Sequence, residues 1–125
     1  MSTTQFTPII YSKIGCPYCI KLRIFLLEAG LIDRVTFVEG KTPEEHDQLA
    51  EFLTKRIGRA SFPTGEISPD NYLPESDDLV DHFASIGVVD PQKLPTYQAF
   101  SGALLPRLQE FYREYSELKK LQQAK

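Results

Sequence analysis

The chain of 125 residues has little of several residue types: no tryptophan, one methionine and two cysteines. Two cysteines exclude a small secreted scaffold held together by several disulfides, because such scaffolds need four or more. No apolar run exceeds four residues, which is far too short to span a bilayer. Residues 1–8 contain no basic stretch followed by an apolar stretch, so we expect no signal peptide.

The chain also lacks an excess of basic residues. It has 14 Lys and Arg against 17 Asp and Glu, a net charge of −3, whereas a nucleic-acid partner requires a basic surface. A hydrophobic content of 42% excludes a disordered chain, and the length is typical of one domain. We expect a cytoplasmic location, where a disulfide is more often catalytic and transient than structural.

Short strands and helices alternate along the chain as far as Gly87. The pattern predicts strands at 8–11, 34–38, 64–67 and 71–73, with helices at 17–29, 43–57 and 75–86. The order β-α-β-α-β-β-α predicts an α/β fold with helices on both faces of a mixed sheet. Its first two strands should be parallel. Apolar residues on two sides of the first helix predict that most of its surface is buried.

Residues 88–125 are predicted to form a helical extension of a first domain at 1–87. Apolar residues at 3-4 spacing indicate two helices, 95–104 and 106–122, separated by a kink at Pro106. Their apolar stripe should be buried, and its central members are Leu104, Leu108, Phe111 and Tyr115. We expect the stripe to pack on the first domain; the alternatives are a homodimer formed through these helices and a truncated second helical layer.

Both cysteines fall within one short motif, Cys16-Pro17-Tyr18-Cys19, at the predicted start of the first helix. Unpaired backbone N–H groups and the helix dipole at that position favour an anion, so Cys16 should have a lowered pKa. Lys13 adds positive charge nearby. We therefore predict that Cys16 attacks a disulfide and that Cys19 resolves the resulting mixed disulfide.

Two other interpretations of the cysteine pair were weighed. A zinc site needs two further ligands, and His46 and His82 are predicted on separate helices, so no metal site is expected. His46 itself is expected to be a solvated surface side chain. The remaining alternative is a pair of buried, inert cysteines.

Three motifs resemble the glutaredoxin family, with features of the N-terminal domain of glutathione transferases. The first is Lys13 followed by the cysteine motif, and the second is Ser61-Phe62-Pro63, which resembles the family's Thr-Val-Pro with its cis proline. The third is the run 75–78, in which Glu75-Ser76 is transferase-like and Asp77-Asp78 is glutaredoxin-like. The resemblance covers about residues 8–87 and implies a thioredoxin-like fold with glutathione as cofactor.

The resemblance also implies a role for each residue of the site. Cys16 would hold the glutathione sulfur, Lys13 the glycine carboxylate, and Tyr18 would line the groove. The backbone of Phe62, beside Pro63, would pair with the cysteinyl backbone of glutathione. Three residues would hold the γ-glutamyl end, with one carboxylate taking its ammonium group: Glu75, Ser76 and Asp77. The simpler alternative for these three is helix capping.

The predicted function is therefore a glutathione-dependent thiol–disulfide oxidoreductase, with glutathionylated or disulfide-containing proteins as partners. One alternative is a transferase-like glutathione-binding protein, in which the extension would shape a site for an electrophile. Another is a carrier of an iron–sulfur cluster held through Cys16 and glutathione. Phe62 in place of the usual valine and the polar Thr64-Gly65-Glu66 depart from the resemblance and affect the expected substrate range.

Overall fold

The structure is a computed structural model that describes residues 6–123, so the first five and last two residues of the predicted domains lie outside it. Four strands and three helices make up the first part of the chain, in the predicted order. They are β1 (Ile9–Lys13), α1 (Pro17–Glu28), β2 (Thr36–Gly40), α2 (Pro43–Ile57), β3 (Thr64–Ser68), β4 (Asn71–Pro74) and α3 (Ser76–Gly87). β2 starts two residues later than predicted.

The four strands form one mixed sheet in the order β2-β1-β3-β4. β1 and β2 are parallel, as predicted, and β3 is antiparallel to both β1 and β4. Alternate side chains of β1 point to opposite faces, as the strand period requires. Ile10 lies in the main core with α1 and α3, whereas Tyr11 contacts Phe52 of α2 on the other face.

The main core lies between the sheet, α1 and α3. Its fully buried members include Ile10, Leu22, Phe25, Leu26 and Leu79. The second apolar side of α1 is buried only in part, because Ile24 packs against the core whereas Ile20 and Leu27 are exposed. The position of Gly65 in β3 has a packing reason, since a Cβ there would lie 2.7 Å from Leu79 Cδ2.

The start of the extension packs against the C-terminal end of α1. Its helical part consists of α4 (Pro95–Gln98), a π-helical segment (Ala99–Leu104) and α5 (Leu105–Gln123). The carboxylate of Glu28 accepts hydrogen bonds from the backbone N–H groups of Thr96 (3.0 Å) and Tyr97 (2.7 Å), two free donors at the start of α4. The Tyr97 ring is buried edge-on against Phe25, with 5.5 Å between centroids.

The kink predicted at Pro106 is replaced by a π-helical segment. The backbone N–H of Leu105 donates to the carbonyl of Phe100, five residues earlier. The wider turn moves the preceding carbonyl groups away from the proline ring. It also leaves one carbonyl without a helical N–H donor, which suits Pro106 because proline has no N–H to donate. The helix therefore continues through Pro106, and the prediction of two separate helices is wrong.

The apolar stripe of α5 does not pack on the first domain. Its central members, Leu104, Leu108, Phe111 and Tyr115, are between 38% and 57% exposed. The extension buries Tyr97 and Leu105, but no residue described in α5 beyond Leu105 is buried. The expected burial of the stripe within this chain is therefore wrong. No described helix combines the length and apolar character needed to cross a membrane.

Candidate active site

The two cysteines occupy the loop between β1 and α1 and the first turn of α1. Gly15 has a φ of +75°, which glycine adopts at little cost and which turns the chain into the helix. Cys16 is the extended residue before the helix, its N–H donates to the Lys13 carbonyl (3.3 Å), and Pro17 is the first helical residue. This geometry leaves Cys16 half-buried and Cys19 buried on the same side of the turn.

The environment of the cysteines separates their pKa values. The pKa of Cys16 is lowered to about 6, first by a hydrogen bond from the Cys19 thiol, then by backbone N–H groups and the charge of Lys13, which outweigh burial. The pKa of Cys19 is raised by the same hydrogen bond and by burial. The Lys13 N–H, 3.4 Å from Cys19 Sγ, partly opposes that rise. Cys16 is therefore the thiolate and Cys19 the thiol.

Phe62 lies directly opposite the reactive cysteine. Its carbonyl oxygen is 3.8 Å from Cys16 Sγ, and its bond to Pro63 is cis, as the resemblance implied. The Phe62 ring packs against His46, with 5.1 Å between centroids. His46 is therefore half-buried and not fully solvated, and its Nδ1 has no hydrogen-bond partner within residues 6–123.

A cavity of about 400 Å³ lies beside the cysteine motif. It brings together five of the residues expected to bind glutathione: Tyr18, Phe62, Glu75, Ser76 and Asp77. Ser76 is buried at the first position of α3, so the N-terminal end of that helix meets the cavity. Two other expected residues do not line it: Lys13 has an exposed side chain at the end of β1, and Pro63 is buried.

Sequence reasoning missed the cations that pair with the acidic residues of this cavity. The ammonium group of Lys21 is paired with the Asp77 carboxylate, and Arg59 Nη2 lies 2.9 Å from Glu75 Oε1. Glu75 has a φ of +81°, an unusual conformation for a residue with a side chain. The one local signal for Lys21 was its position between Ile20 and Leu22, where a charge falls on the buried side of α1.

Sequence reasoning also missed the contribution of the extension. Ser101, Leu105 and Gln109 line the same cavity, and Gln109 Nε2 donates a hydrogen bond of 2.9 Å to the Tyr18 hydroxyl. A second, larger groove of about 1020 Å³ runs between Pro17 and Tyr18 on one side and α5 on the other. The α5 side of this groove is mainly apolar and includes Leu108, Phe111, Tyr112 and Tyr115. Within the described chain, no cluster of His, Cys, Asp or Glu is arranged to hold a metal ion.

A family model described as the N-terminal domain of glutathione S-transferase matches residues 10–87, more than half of the chain. The chain belongs to this family. The match covers the cysteine motif, nearly all of the sheet and the whole of α3, and it includes seven of the ten residues that line the cavity. No curated protein sequence matches the chain significantly.

Solved structures give the same fold. An oxidised glutaredoxin 2 from Chlamydomonas reinhardtii is 28% identical over 78% of this chain and 83% of its own, with a TM-score of 0.50. A possible glutathione S-transferase from Rhodopseudomonas palustris is 24% identical over 64% of this chain, with a TM-score of 0.52. A glutathione S-transferase from the Antarctic clam Laternula elliptica is 19% identical over 71% of this chain, with a TM-score of 0.50.

The two transferases are much longer than the part they share with this chain, which spans 40% and 37% of their lengths. These likenesses confirm the predicted thioredoxin-like fold and the family with both glutaredoxin and transferase features. They support a fold of the glutathione-related kind, and they do not distinguish a reductase from a transferase.

Proposed function

We propose that this chain is a glutathione-dependent thiol–disulfide oxidoreductase in which Cys16 is the nucleophile. The observation that carries the proposal is the pair of free cysteines with opposite pKa shifts at the start of α1. With a pKa of about 6, Cys16 is mostly thiolate at neutral pH, and the thiolate is the form that attacks a disulfide. A cytoplasmic setting, with abundant glutathione, fits this role.

The reaction on a glutathionylated protein uses Cys16 alone. Its thiolate attacks the glutathione sulfur, the mixed disulfide bond of the substrate breaks, and the protein leaves as a thiolate that takes a proton from water. A second glutathione thiolate attacks the glutathione sulfur now bound to Cys16. Glutathione disulfide leaves, and the Cys16 thiolate is restored. The substrate disulfide is reduced, and glutathione is oxidised.

The reaction on a protein disulfide also requires Cys19. After Cys16 has formed a mixed disulfide with the substrate, it no longer accepts the hydrogen bond that is the main cause of the raised pKa of Cys19. Cys19 then loses its proton more easily and attacks the sulfur of Cys16, which releases the substrate thiolate and closes the Cys16–Cys19 bond. Two glutathione molecules reduce that bond and leave as glutathione disulfide.

The surroundings of Cys16 support glutathione as the thiol. A cysteinyl residue joined to Cys16 would have its backbone N–H within reach of the Phe62 carbonyl, which lies 3.8 Å from Cys16 Sγ. The adjacent cavity meets the N-terminus of α3, where free N–H groups and the helix dipole favour a carboxylate. Its volume of about 400 Å³ falls within the range of small-molecule sites.

The test is a glutathione-coupled reductase assay on the wild type, Cys16→Ser and Cys19→Ser. Cys16→Ser should lose activity on both substrate types. Cys19→Ser should retain activity on a glutathionylated peptide and lose it on a protein disulfide, because only the second reaction needs a resolving thiol. Full turnover by Cys16→Ser on either substrate would overturn the proposal.

The groove beside α5 favours one second candidate function, transfer of glutathione to an apolar electrophile. Pro17 and Tyr18 line this groove opposite the apolar side chains of α5. Pro17 directly follows Cys16, the residue that would hold the glutathione sulfur. Conjugation of glutathione to 1-chloro-2,4-dinitrobenzene measures this activity directly. Conjugation that survives in Cys19→Ser, with no reductase activity in the wild type, would favour the transferase over the oxidoreductase.

A further inference from the structure

The cavity beside the cysteine motif contains its own positive charge. Lys21 lines the cavity, and its side chain is only 7% exposed, whereas the side chain of its partner Asp77 is 80% exposed. A buried ammonium group needs compensation, and one carboxylate oxygen supplies one acceptor for its three donors. The remaining donors face a cavity that also meets the N-terminus of α3.

Both carboxylates at this cavity are already paired with cations. Asp77 is bound to Lys21, and Glu75 is bound to Arg59 at 2.9 Å. An ammonium group of a ligand that approached either carboxylate would share it with a cation of like charge. The gain from such a contact is therefore small. A carboxylate of the ligand at Lys21 would also meet a like charge, that of Asp77, but it would gain the remaining donors of Lys21 and the free N–H groups of α3 together.

We infer that Lys21 is a specificity-determining residue, which selects the α-carboxylate of the γ-glutamyl group, and that the α-ammonium group contributes little to binding. The inference rests on the proposed function, because it assumes that glutathione occupies this cavity. It corrects the expectation that Asp77 or Glu75 mainly recognises the ammonium group. It also assigns the ligand class. The ligand is a dipeptide or tripeptide that begins with a γ-glutamyl group, or with a glutaryl group that keeps the free carboxylate and lacks the amine.

Three ligands without a reactive thiol test the inference by calorimetric titration of the whole chain. They are S-methylglutathione, the same compound with a glutaryl group in place of γ-glutamyl, which lacks the ammonium group, and its α-carboxamide. We expect loss of the ammonium group to change Kd less than about threefold. Loss of the carboxylate charge should weaken binding about tenfold or more, as expected for a charge-assisted hydrogen bond.

Variants then assign the effect to Lys21. Lys21→Met should weaken S-methylglutathione about tenfold and remove most of the difference between it and the carboxamide, and Lys21→Arg should restore that difference. Lys55→Met is the matched control, because Lys55 is exposed on α2 outside the cavity. A purely structural Lys21 would instead weaken all three ligands by the same factor, and that result would overturn the inference.

The outcomes also separate the inference from the proposed function. Tenfold weaker binding of the glutaryl compound by the wild type, together with normal reductase activity, would overturn the inference alone. Tight binding of S-methylglutathione by a protein without reductase activity would overturn the proposed function and leave the inference supported, provided that the carboxamide binds weakly. Failure of the wild type to bind S-methylglutathione would overturn the inference.

Discussion

Apolar side chains recur along the helices of the first domain and along α5, but the two regions differ in how far these side chains are buried. In the first domain, α1 and α3 bury one apolar face against the sheet, and Phe25 and Leu79 are fully buried. In α5, side chains of the same kind at regular spacing stay largely exposed, and Phe111 is 52% exposed. An apolar stripe on a helix therefore indicates a face that another surface could cover. Whether that face is buried depends on a partner surface within reach.

Side-chain hydrogen bonds join the extension to the first domain both near its start and on α5. Near its start, Glu28 and Phe25 hold the first turn of α4. On α5, Gln109 donates a hydrogen bond to the hydroxyl of Tyr18, the residue that precedes Cys19 in the sequence. The reactive thiol thus belongs to the first domain, and the extension supplies walls for the space around it.

The largest expected effect compares two phenylalanines. Phe25→Ala should destabilise the protein by about 3–5 kcal/mol, because it removes a fully buried ring and leaves a cavity. Phe111→Ala should change the free energy of unfolding by no more than about 0.5 kcal/mol, as is usual for a surface position. Denaturant unfolding measures both. An equal loss in the two variants would show that Phe111 is buried in solution.

The next prediction concerns the pH dependence of the reactive thiol. Alkylation of Cys16 by iodoacetamide should rise with pH and reach half its maximum near pH 6, since the thiolate fraction grows as pH passes a pKa of about 6. Cys19→Ala should move the midpoint upward, because the hydrogen bond from Cys19 is the largest cause of the lowered pKa.

The same alkylation measurement separates the two regions. Gln109→Ala should leave the midpoint in place, because every group that shifts the pKa of Cys16 lies in the first domain. A midpoint that moved in Gln109→Ala but not in Cys19→Ala would reverse the division of roles between the regions.

A smaller effect is expected from Gln109 on substrate affinity. Gln109→Ala removes one hydrogen bond to Tyr18 and one wall residue of both cavities, so KM for a glutathionylated peptide should rise about threefold to tenfold. The value of kcat should change less, because the cysteines are untouched. Glu110→Ala is the matched control, since Glu110 is exposed on the next residue of α5 and lines neither cavity.

The smallest effect is expected at the start of the extension. Burial raises the pKa of Glu28, but hydrogen bonds from Thr96 and Tyr97 outweigh it and leave that pKa lowered. Glu28 therefore stabilises the fold above the ordinary pKa of a carboxyl group and loses this effect as pH falls through its lowered pKa. The Tm of the wild type should exceed that of Glu28→Gln near neutral pH, and the difference should vanish in acid. A difference that persisted in acid would contradict this assignment.

The sequence was sufficient for features that depend on neighbouring residues. The strand and helix order, the helix start at Pro17 and the low pKa of Cys16 all follow from patterns within a few positions. The ion pairs at the cavity join residues 56 and 16 positions apart, so no local pattern could reveal them. The prediction that the α5 stripe is buried was wrong for a different reason. Burial of the stripe depends on a partner surface elsewhere in the fold, which the local pattern does not describe.

The π-helical segment sets the rotational phase of everything that follows it. An α-helix turns by about 100° for each residue, so converting the wide turn in Ala99–Leu104 to an ordinary one without removing a residue would rotate α5 by roughly that angle. Gln109 would then point away from Tyr18, and a different strip of α5 would border the groove. The wide turn in this helix thus determines which side chains of α5 face Tyr18 and the groove.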